Sequence, residues 1–235
     1  MTRTRSISAL ILSLVAAATM SMAAPTRQDS VTISSARKVG AAVKHKANIT
    51  MSLGGLDATI GMTIATKVTK ADESKSELTT EYSDVTAEVG GTDPGIVAAE
   101  MVRTYDATKR LIDAKGGIQG GDTYRLAVVM EFFEYGAAHE KGKEVSFEIK
   151  ENKEADAKKL TVKQTYLGVE KVGDVEGHKF MQKVAEEGET GLTSEVTFIL
   201  QADGTILSID GKFTNMPVPA AGTSATGTFK AKIVA

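Results

Sequence analysis

The stretch from residue 43 to residue 68 has the clearest alternation of apolar and polar positions in the chain. Apolar residues fall mostly on odd positions up to Leu53 and on even positions from Leu56 onward, with Gly54 and Gly55 between them. A period of two predicts β-strands with one buried face, and two adjacent glycines suit a two-residue hairpin turn. The pattern therefore predicts a hairpin in which Leu53 faces Leu56.

Pairing through this turn puts the next inward residues opposite one another. The predicted pairs are Met51 with Ala58, Ile49 with Ile60, and Ala47 with Met62. A shift of one residue would place the apolar side chains on both faces, so the register is well specified. Because an isolated hairpin is only marginally stable in water, we expect this one to belong to a larger sheet.

A second hairpin is predicted around Asp203-Gly204, because apolar residues alternate on both sides of this favoured turn pair. A two-residue turn there sets Leu200 opposite Leu207 and Phe198 opposite Ile209.

Residues 99–115 permit two interpretations, because part of this stretch also fits one or two turns of helix. Residues 105–116 align without a gap with residues 200–211, which favours a strand, a turn and a strand over 99–115. In residues 78–89 the apolar positions change phase, which is typical of a β-bulge.

A second internal parallel joins residues 78–90 to residues 160–173. Either the chain contains two related halves, 41–117 and 141–235, or these short matches arise by chance in a chain rich in strands.

One helix is predicted between these halves, over residues 122–136. Asp122 can cap its start, apolar residues recur at helical spacing from Leu126 to Phe133, and Gly136 can end it. The helix is either a core element packed on the sheet or a mobile lid over a cavity.

The predicted fold class is mainly β (α+β), with a curved sheet of about eleven strands and one central helix over residues 41–235. The sheet is expected to be antiparallel, because parallel strands need long crossover connections that these loops do not provide.

The first 23 residues predict an export signal. Arg3 and Arg5 precede an apolar stretch that is too short to span a bilayer, and small residues lead up to Ala23. These features favour a signal peptide cleaved near Ala23 over a membrane anchor. We expect a secreted or periplasmic protein with a flexible N-terminal tail over residues 24–40 and no later segment apolar enough to span a membrane.

Composition narrows the chemistry. The chain has no cysteine, which excludes disulfides, thiolate metal sites and cysteine nucleophiles. A formal net charge of -2 without a basic stripe makes nucleic acid an unexpected partner. The lack of tryptophan and the small share of aromatic residues weaken the case for a platform on which sugars or bases stack.

No pattern of titratable residues indicates catalysis, a cofactor or a metal. His45 lies on the predicted inner face, where a hydrogen-bonded core histidine is the simpler interpretation, while His139 and His178 lie near turns. None of the three has a helical metal-binding spacing. If the protein is an enzyme, His45 near Tyr82 or Glu81 is the first candidate for its site.

Residues 133–184 resemble exported bacterial β-rich proteins of unknown function, through Gly-Lys-Glu-Val-Ser-Phe from Gly142 and Gly-His-Lys-Phe-Met from Gly177. This resemblance implies an exported β protein and no particular site. The expected architecture is also similar in outline to periplasmic lipoprotein carriers, whose half-open barrel holds acyl chains, which implies an apolar ligand in the concavity of the sheet.

We therefore expect an exported, non-catalytic envelope protein that binds an apolar small molecule or a lipid in a curved sheet. The alternative is a structural or interaction module without a ligand, whose partner is another envelope protein; an unrecognised enzyme is the third hypothesis. The candidate ligand-binding residues are Ile49, Met51, Ile60, Met62, Phe133 and Phe198.

Overall fold

Eleven antiparallel strands form one open sheet in the computed structural model, which describes residues 29–35 and 38–234. In chain order the strands are β1 (Ser30–Thr32), β2 (Ala42–Leu53), β3 (Leu56–Ala71), β4 (Lys75–Val89), β5 (Ala98–Asp106), β6 (Leu111–Ile118), β7 (Ala138–Glu140), β8 (Glu144–Ile149), β9 (Leu160–Val172), β10 (Val175–Glu186), β11 (Thr193–Leu200), β12 (Ile206–Val218) and β13 (Thr223–Val234). A helix, α1 (Thr123–Met130), follows β6, and a short 3-10 helix (Pro219–Ala221) follows β12.

The order of strands across the sheet is β6-β5-β4-β3-β2-β13-β12-β11-β10-β9-β8, while β1 pairs only with β7. The last strand, β13, therefore lies beside β2 at the centre of the sheet. The helix contacts β6 at one edge of the sheet as well as β11 and β12 beyond its centre. A sheet whose edge strand and whose strands beyond the centre both contact one helix must curve around that helix. The predicted fold class, a curved antiparallel sheet of about eleven strands with one helix, is confirmed.

The register predicted for the first hairpin is confirmed. Leu53 pairs with Leu56, and the pairing continues without a break to the start of β2. Gly54 and Gly55 have φ values of 58° and 88°, as a turn with two left-handed residues requires. The inward face of this hairpin forms one wall of the core.

The second hairpin is confirmed except at its end. Phe198 pairs with Ile209 as predicted, but Leu200 pairs with Ile206 and not with Leu207. The turn is longer than two residues and includes a left-handed glycine with φ of 87°. A turn of that kind adds a residue to one strand, so the register shifts just before the loop.

Strands β5 and β6 confirm the prediction of two strands and a turn over residues 99–115. The predicted bulge lies at Asp84, which has φ of 51°, where the pairing of β4 skips from Thr63 to Gly61 on β3. The two halves inferred from the internal parallels contribute to one sheet, and their duplication stays a prediction.

The helix begins where the sequence predicts but ends earlier. The side chain of Asp122 accepts a hydrogen bond from the backbone N–H of Arg125 at 2.8 Å and caps the first turn. The helix ends at Met130, because Glu131 has extended backbone (φ -93°, ψ 136°). The predicted end at Gly136 is therefore wrong by six residues.

The extended segment after the helix connects the two parts of the core. The ring of Phe132 lies 5.0 Å from the ring of Phe180 and 5.9 Å from that of Phe198. The next residue, Phe133, lies 5.8 Å from Phe147 in the other core cluster. Successive side chains of an extended strand point to opposite sides, so this segment packs against both clusters.

Residues 30–33 are part of the core and not of a tail. Val31 and Ile33 are buried, and β1 pairs with β7. The predicted signal peptide, residues 1–23, lies outside the described residues. Within those residues, no helix combines the length and apolar character needed to cross a membrane.

A buried ion pair holds the helix to the sheet. Arg125 donates from Nε and Nη2 to the two carboxylate oxygens of Glu186, at 2.8 and 2.5 Å. The same carboxylate accepts the backbone N–H groups of Lys158 and Leu192. Burial opposes ionisation of Glu186, but these hydrogen bonds hold its pKa below the usual value.

We predict that Glu186→Gln lowers the free energy of unfolding by about 1.5–3 kcal/mol, because Arg125 loses the carboxylate that binds both Nε and Nη2 and keeps Asp122 as its remaining counterion. Urea denaturation followed by circular dichroism measures this change. Glu195→Gln is the control, because it removes an exposed pair with Lys212 and should cost about 1 kcal/mol or less. Equal losses for the two variants would contradict the role of the buried pair.

The same pair predicts a dependence of stability on pH. The pKa of Glu186 is lower in the folded protein than in the unfolded chain, where it is about 4.3. Its contribution is therefore complete above that value and is lost as the pH falls through the folded pKa. Between pH 5 and pH 3, unfolding titrations should show a smaller loss of stability for Glu186→Gln than for the wild-type protein.

Candidate ligand-binding cavity on the concave face

A cavity of about 350 Å³ opens on the concave face at the end where β2 turns into β3. One wall consists of inward side chains of the first hairpin, and Leu126 of α1 lies across from it. Other apolar lining residues come from β12, from the last residues of β4 and β6 and from the loop between β4 and β5: Val89, Pro94, Ile96, Ile118, Phe213, Met216 and Val218. The cavity therefore lies between the sheet, the helix and the loops.

Two loops approach each other closely at the opening. Ala220 donates its backbone N–H to the carbonyl oxygen of Gly120 at 3.3 Å. A Cβ atom on Gly120 would lie 2.7 Å from the Cβ of Ala220, and the φ of Gly120 is 83°. Only glycine suits both the conformation and the distance, so this position fixes one edge of the opening.

The lining of the cavity is almost entirely apolar. Asp122 is the charged residue among those that line it, and its carboxylate accepts hydrogen bonds from Arg125 Nη1 and from the Arg125 backbone. It is therefore already paired. A volume near the lower end of the usual range for ligand pockets, combined with apolar walls, suits a slender apolar ligand.

Further along the concave face the space narrows to about 10 Å³. Met62, Tyr82 and Met130 line this constriction, which shares Ile49 and Leu126 with the cavity. Its size is at the limit for a single water molecule. Two of the residues that line it, Met62 and Met130, have flexible and unbranched side chains, which can change conformation more easily than branched or aromatic ones.

The structure brings together four of the six predicted ligand-binding residues. Ile49, Met51 and Ile60 line the cavity, and Met62 lies one step deeper at the constriction. Phe133 and Phe198 do not line this cavity. They are buried in the two core clusters, where each contacts another phenylalanine.

Several lining residues were not predicted from the sequence, because they come from loops, from the helix and from the end of β12. Pro94, Ile96, Met216 and Val218 lie in stretches that also contain glycine or proline. Stretches rich in glycine and proline normally carry polar residues. Apolar residues beside these turn formers were therefore the feature of the sequence that could have indicated the cavity.

The histidine and the tyrosine considered for catalysis are engaged separately. His45 Nε2 lies 2.8 Å from the carbonyl oxygen of Ile206, and the hydroxyl of Tyr82 donates to Met101 Sδ at 3.6 Å. Burial lowers the pKa of His45, and the positive charge of Arg103 lowers it further despite the hydrogen bond to Ile206. Burial raises the pKa of Tyr82.

Comparison with known proteins gives one weak match. No protein-family model and no curated protein matches this chain. Among solved structures, it is similar to a crystal structure of an outer membrane lipoprotein-sorting protein domain from Vibrio parahaemolyticus, with 11% identity, 83% of each chain covered and a TM-score of 0.21. A TM-score of this size does not establish a shared fold, so the function proposed below rests on the residues of this chain.

We predict that Ala58→Phe lowers the affinity for an uncharged apolar dye, such as N-phenyl-1-naphthylamine, about tenfold or more, equivalent to about 1.4 kcal/mol. The new ring points into the cavity, because Ala58 is an inward, buried residue of its wall. Thr59→Phe is the matched control, since Thr59 is the next residue and lies exposed on the outer face.

The increase in dye fluorescence on binding measures both affinities. If the two variants bind the dye equally well, the dye does not occupy this cavity. Circular dichroism spectra of both variants show whether the fold is kept.

Proposed function

We propose that this protein is an exported, non-catalytic envelope protein that binds an apolar ligand, such as the acyl chain of a lipid, on the concave face of its sheet. The observation that carries the proposal is the 350 Å³ cavity with apolar walls at the end of the first hairpin. A core closed completely by its own side chains would have given no support to this function.

The energetics favour a chain-like ligand. Each methylene group transferred from water into such a cavity contributes about 0.8 kcal/mol, so eight buried methylenes contribute about 6 kcal/mol. Part of this is lost in ordering the ligand, which leaves an affinity suited to reversible binding.

The opening of the cavity offers no cationic group to a ligand. The loops over residues 89–97, 118–122 and 216–222 contain neither lysine nor arginine. An anionic head group at this opening would meet no positive charge from these loops, and selection would come from the apolar part of the ligand. This arrangement fits a protein that recognises the acyl chain of a lipid more than its head group.

The proposed location rests on the first 23 residues, whose basic start, apolar stretch and small residues favour export. In an oxidising compartment, the lack of cysteine leaves the fold with no disulfide and no thiol to be oxidised. Its stability there depends on the core and on the buried ion pair of Arg125 and Glu186.

A second candidate function is an interaction module without a ligand. Leu56 and Val97 are 55% and 60% exposed, and the side chain of Leu56 reaches toward Gly90 next to the loop at the opening. Exposed apolar residues beside an apolar cavity also suit an envelope protein that inserts an apolar side chain there.

We predict that native mass spectrometry of the protein purified from its own envelope fraction shows an extra mass that organic extraction removes. The apolar cavity should retain a bound ligand through gentle purification, and the same preparation of Ala58→Phe should show much less of it. Thr59→Phe should resemble the wild-type protein.

A bare protein mass, together with no uptake of offered fatty acids or phospholipids, would contradict the proposal and favour the interaction module. An extra mass of equal abundance in the wild-type protein and in Ala58→Phe would place the ligand elsewhere in the protein.

A further inference from the structure

A second cavity, of about 170 Å³, lies at the opposite end of the concave face. The apolar cavity lies where β2 ends, near Leu53, whereas this one lies where β2 begins, near Val43 and His45. Its other walls include Arg103 of β5 and the turn over residues 203–206. The constriction at Met62 and Tyr82 separates the two.

Two buried polar atoms on the walls of this second cavity lack partners. Across residues 29–35 and 38–234, five buried side-chain nitrogen or oxygen atoms have no hydrogen-bond partner, and two of them are Ser35 Oγ and Arg103 Nε. Both residues line this cavity. Since buried polar groups are nearly always hydrogen-bonded, two unpaired groups on one cavity indicate a place for a polar ligand.

Arg103 is held in position by its other nitrogens. Nη1 donates to Glu131 Oε2 at 3.1 Å, and Nη2 donates to Thr80 Oγ1 at 3.3 Å. The side chains of Arg103 and Glu131 are only 11% and 5% exposed. The carboxylate of Glu131 offsets the charge of the guanidinium, so the unpaired Nε is a buried donor without a net positive charge.

His45 supplies the complementary acceptor. Its Nε2 faces the carbonyl oxygen of Ile206, so this nitrogen carries the hydrogen, and a neutral imidazole then has an acceptor at Nδ1. Burial lowers the pKa of His45, and the charge of Arg103 adds to this despite the opposing hydrogen bond to Ile206, so the surroundings favour the neutral ring. Asp203 adds an exposed carboxylate to the lining, so an anion gains no net attraction.

The volume sets the size of the ligand. A cavity of about 150 Å³ holds a benzene molecule, which has six non-hydrogen atoms, and this cavity is slightly larger. We propose that it binds an uncharged hydroxylated group of about the size of glycerol, with Arg103 Nε and Ser35 Oγ donating to its oxygens and one of its hydroxyls donating to His45 Nδ1.

Such a group has two sources, a free small polyol or the glyceryl end of a monoacylglycerol. In the second case the acyl chain passes the constriction at Met62 and enters the apolar cavity. Only this second source rests on the function proposed above, because the polar cavity has its own walls and its own donors.

The test follows the Nε–Hε signal of Arg103 by NMR in ¹⁵N-labelled mature protein, with the signal assigned through Arg103→Lys. Glycerol should shift this signal saturably, whereas acetate should not, and Arg110, which is 40% exposed, serves as a reference. Ser35→Ala should weaken glycerol binding about tenfold. Ser194→Ala is the matched control, because Ser194 Oγ is also buried and unpaired but does not line this cavity.

Tighter binding of acetate than of glycerol, or no saturable shift with glycerol, would overturn the proposal. So would equal losses in Ser35→Ala and Ser194→Ala. Ser35→Ala removes a hydroxyl without a partner and should keep the amide spectrum of the folded protein.

Monodecanoylglycerol distinguishes the two sources. If a lipid is the source, it binds far more tightly than glycerol and loses affinity in both Ser35→Ala and Ala58→Phe. If a free polyol is the source, the acyl chain adds nothing and Ala58→Phe leaves glycerol binding unchanged. A failure of the apolar cavity to bind the dye leaves the glycerol result intact, so the two proposals fail separately.

Discussion

The ion pair of Arg125 and Glu186 holds the helix to the sheet, and the position of the helix decides where space remains on the concave face. Two buried charges are stable together only because each has enough hydrogen bonds to replace water. The carboxylate of Glu186 accepts four N–H groups, two from Arg125 and two from the backbone. Without this pair the short helix keeps its apolar contacts, its cap and the hydrogen bond from the Thr123 hydroxyl to the carbonyl oxygen of Gly116 on β6.

The helix fills the middle of the concavity and leaves space at both ends. Along β2 the inward side chains change from Leu53 and Met51 at one end to His45 at the other. The sheet thus presents an apolar end and a polar end on one continuous face. The polar end is completed by residues distant in sequence, since Arg103 comes from β5 and Ser35 from the segment before β2.

Features set by local sequence could be predicted, and features set by distant contacts could not. The register of the first hairpin follows from its period and from Gly54-Gly55, so one wall of the apolar cavity, including Ile49 and Ile60, was predictable. The end of the helix was not, because Glu131 leaves it to meet Arg103 and Tyr105, which lie on β5. The shift at Leu200 depends on a left-handed glycine in the turn, which an Asp-Gly pair alone does not specify.

Within the part of the chain that the structure describes, β6 and β8 are the unpaired edges of the sheet, and this affects the volume that the sheet encloses. In a closed barrel the strand number and the stagger fix the diameter, and hence the interior volume. Here the described residues place no ladder of backbone hydrogen bonds between the two edge strands, so no such relation fixes the circumference. The enclosed volume depends on how tightly the sheet coils around the helix. A small change in coiling alters this volume without breaking the hydrogen bonds between paired strands.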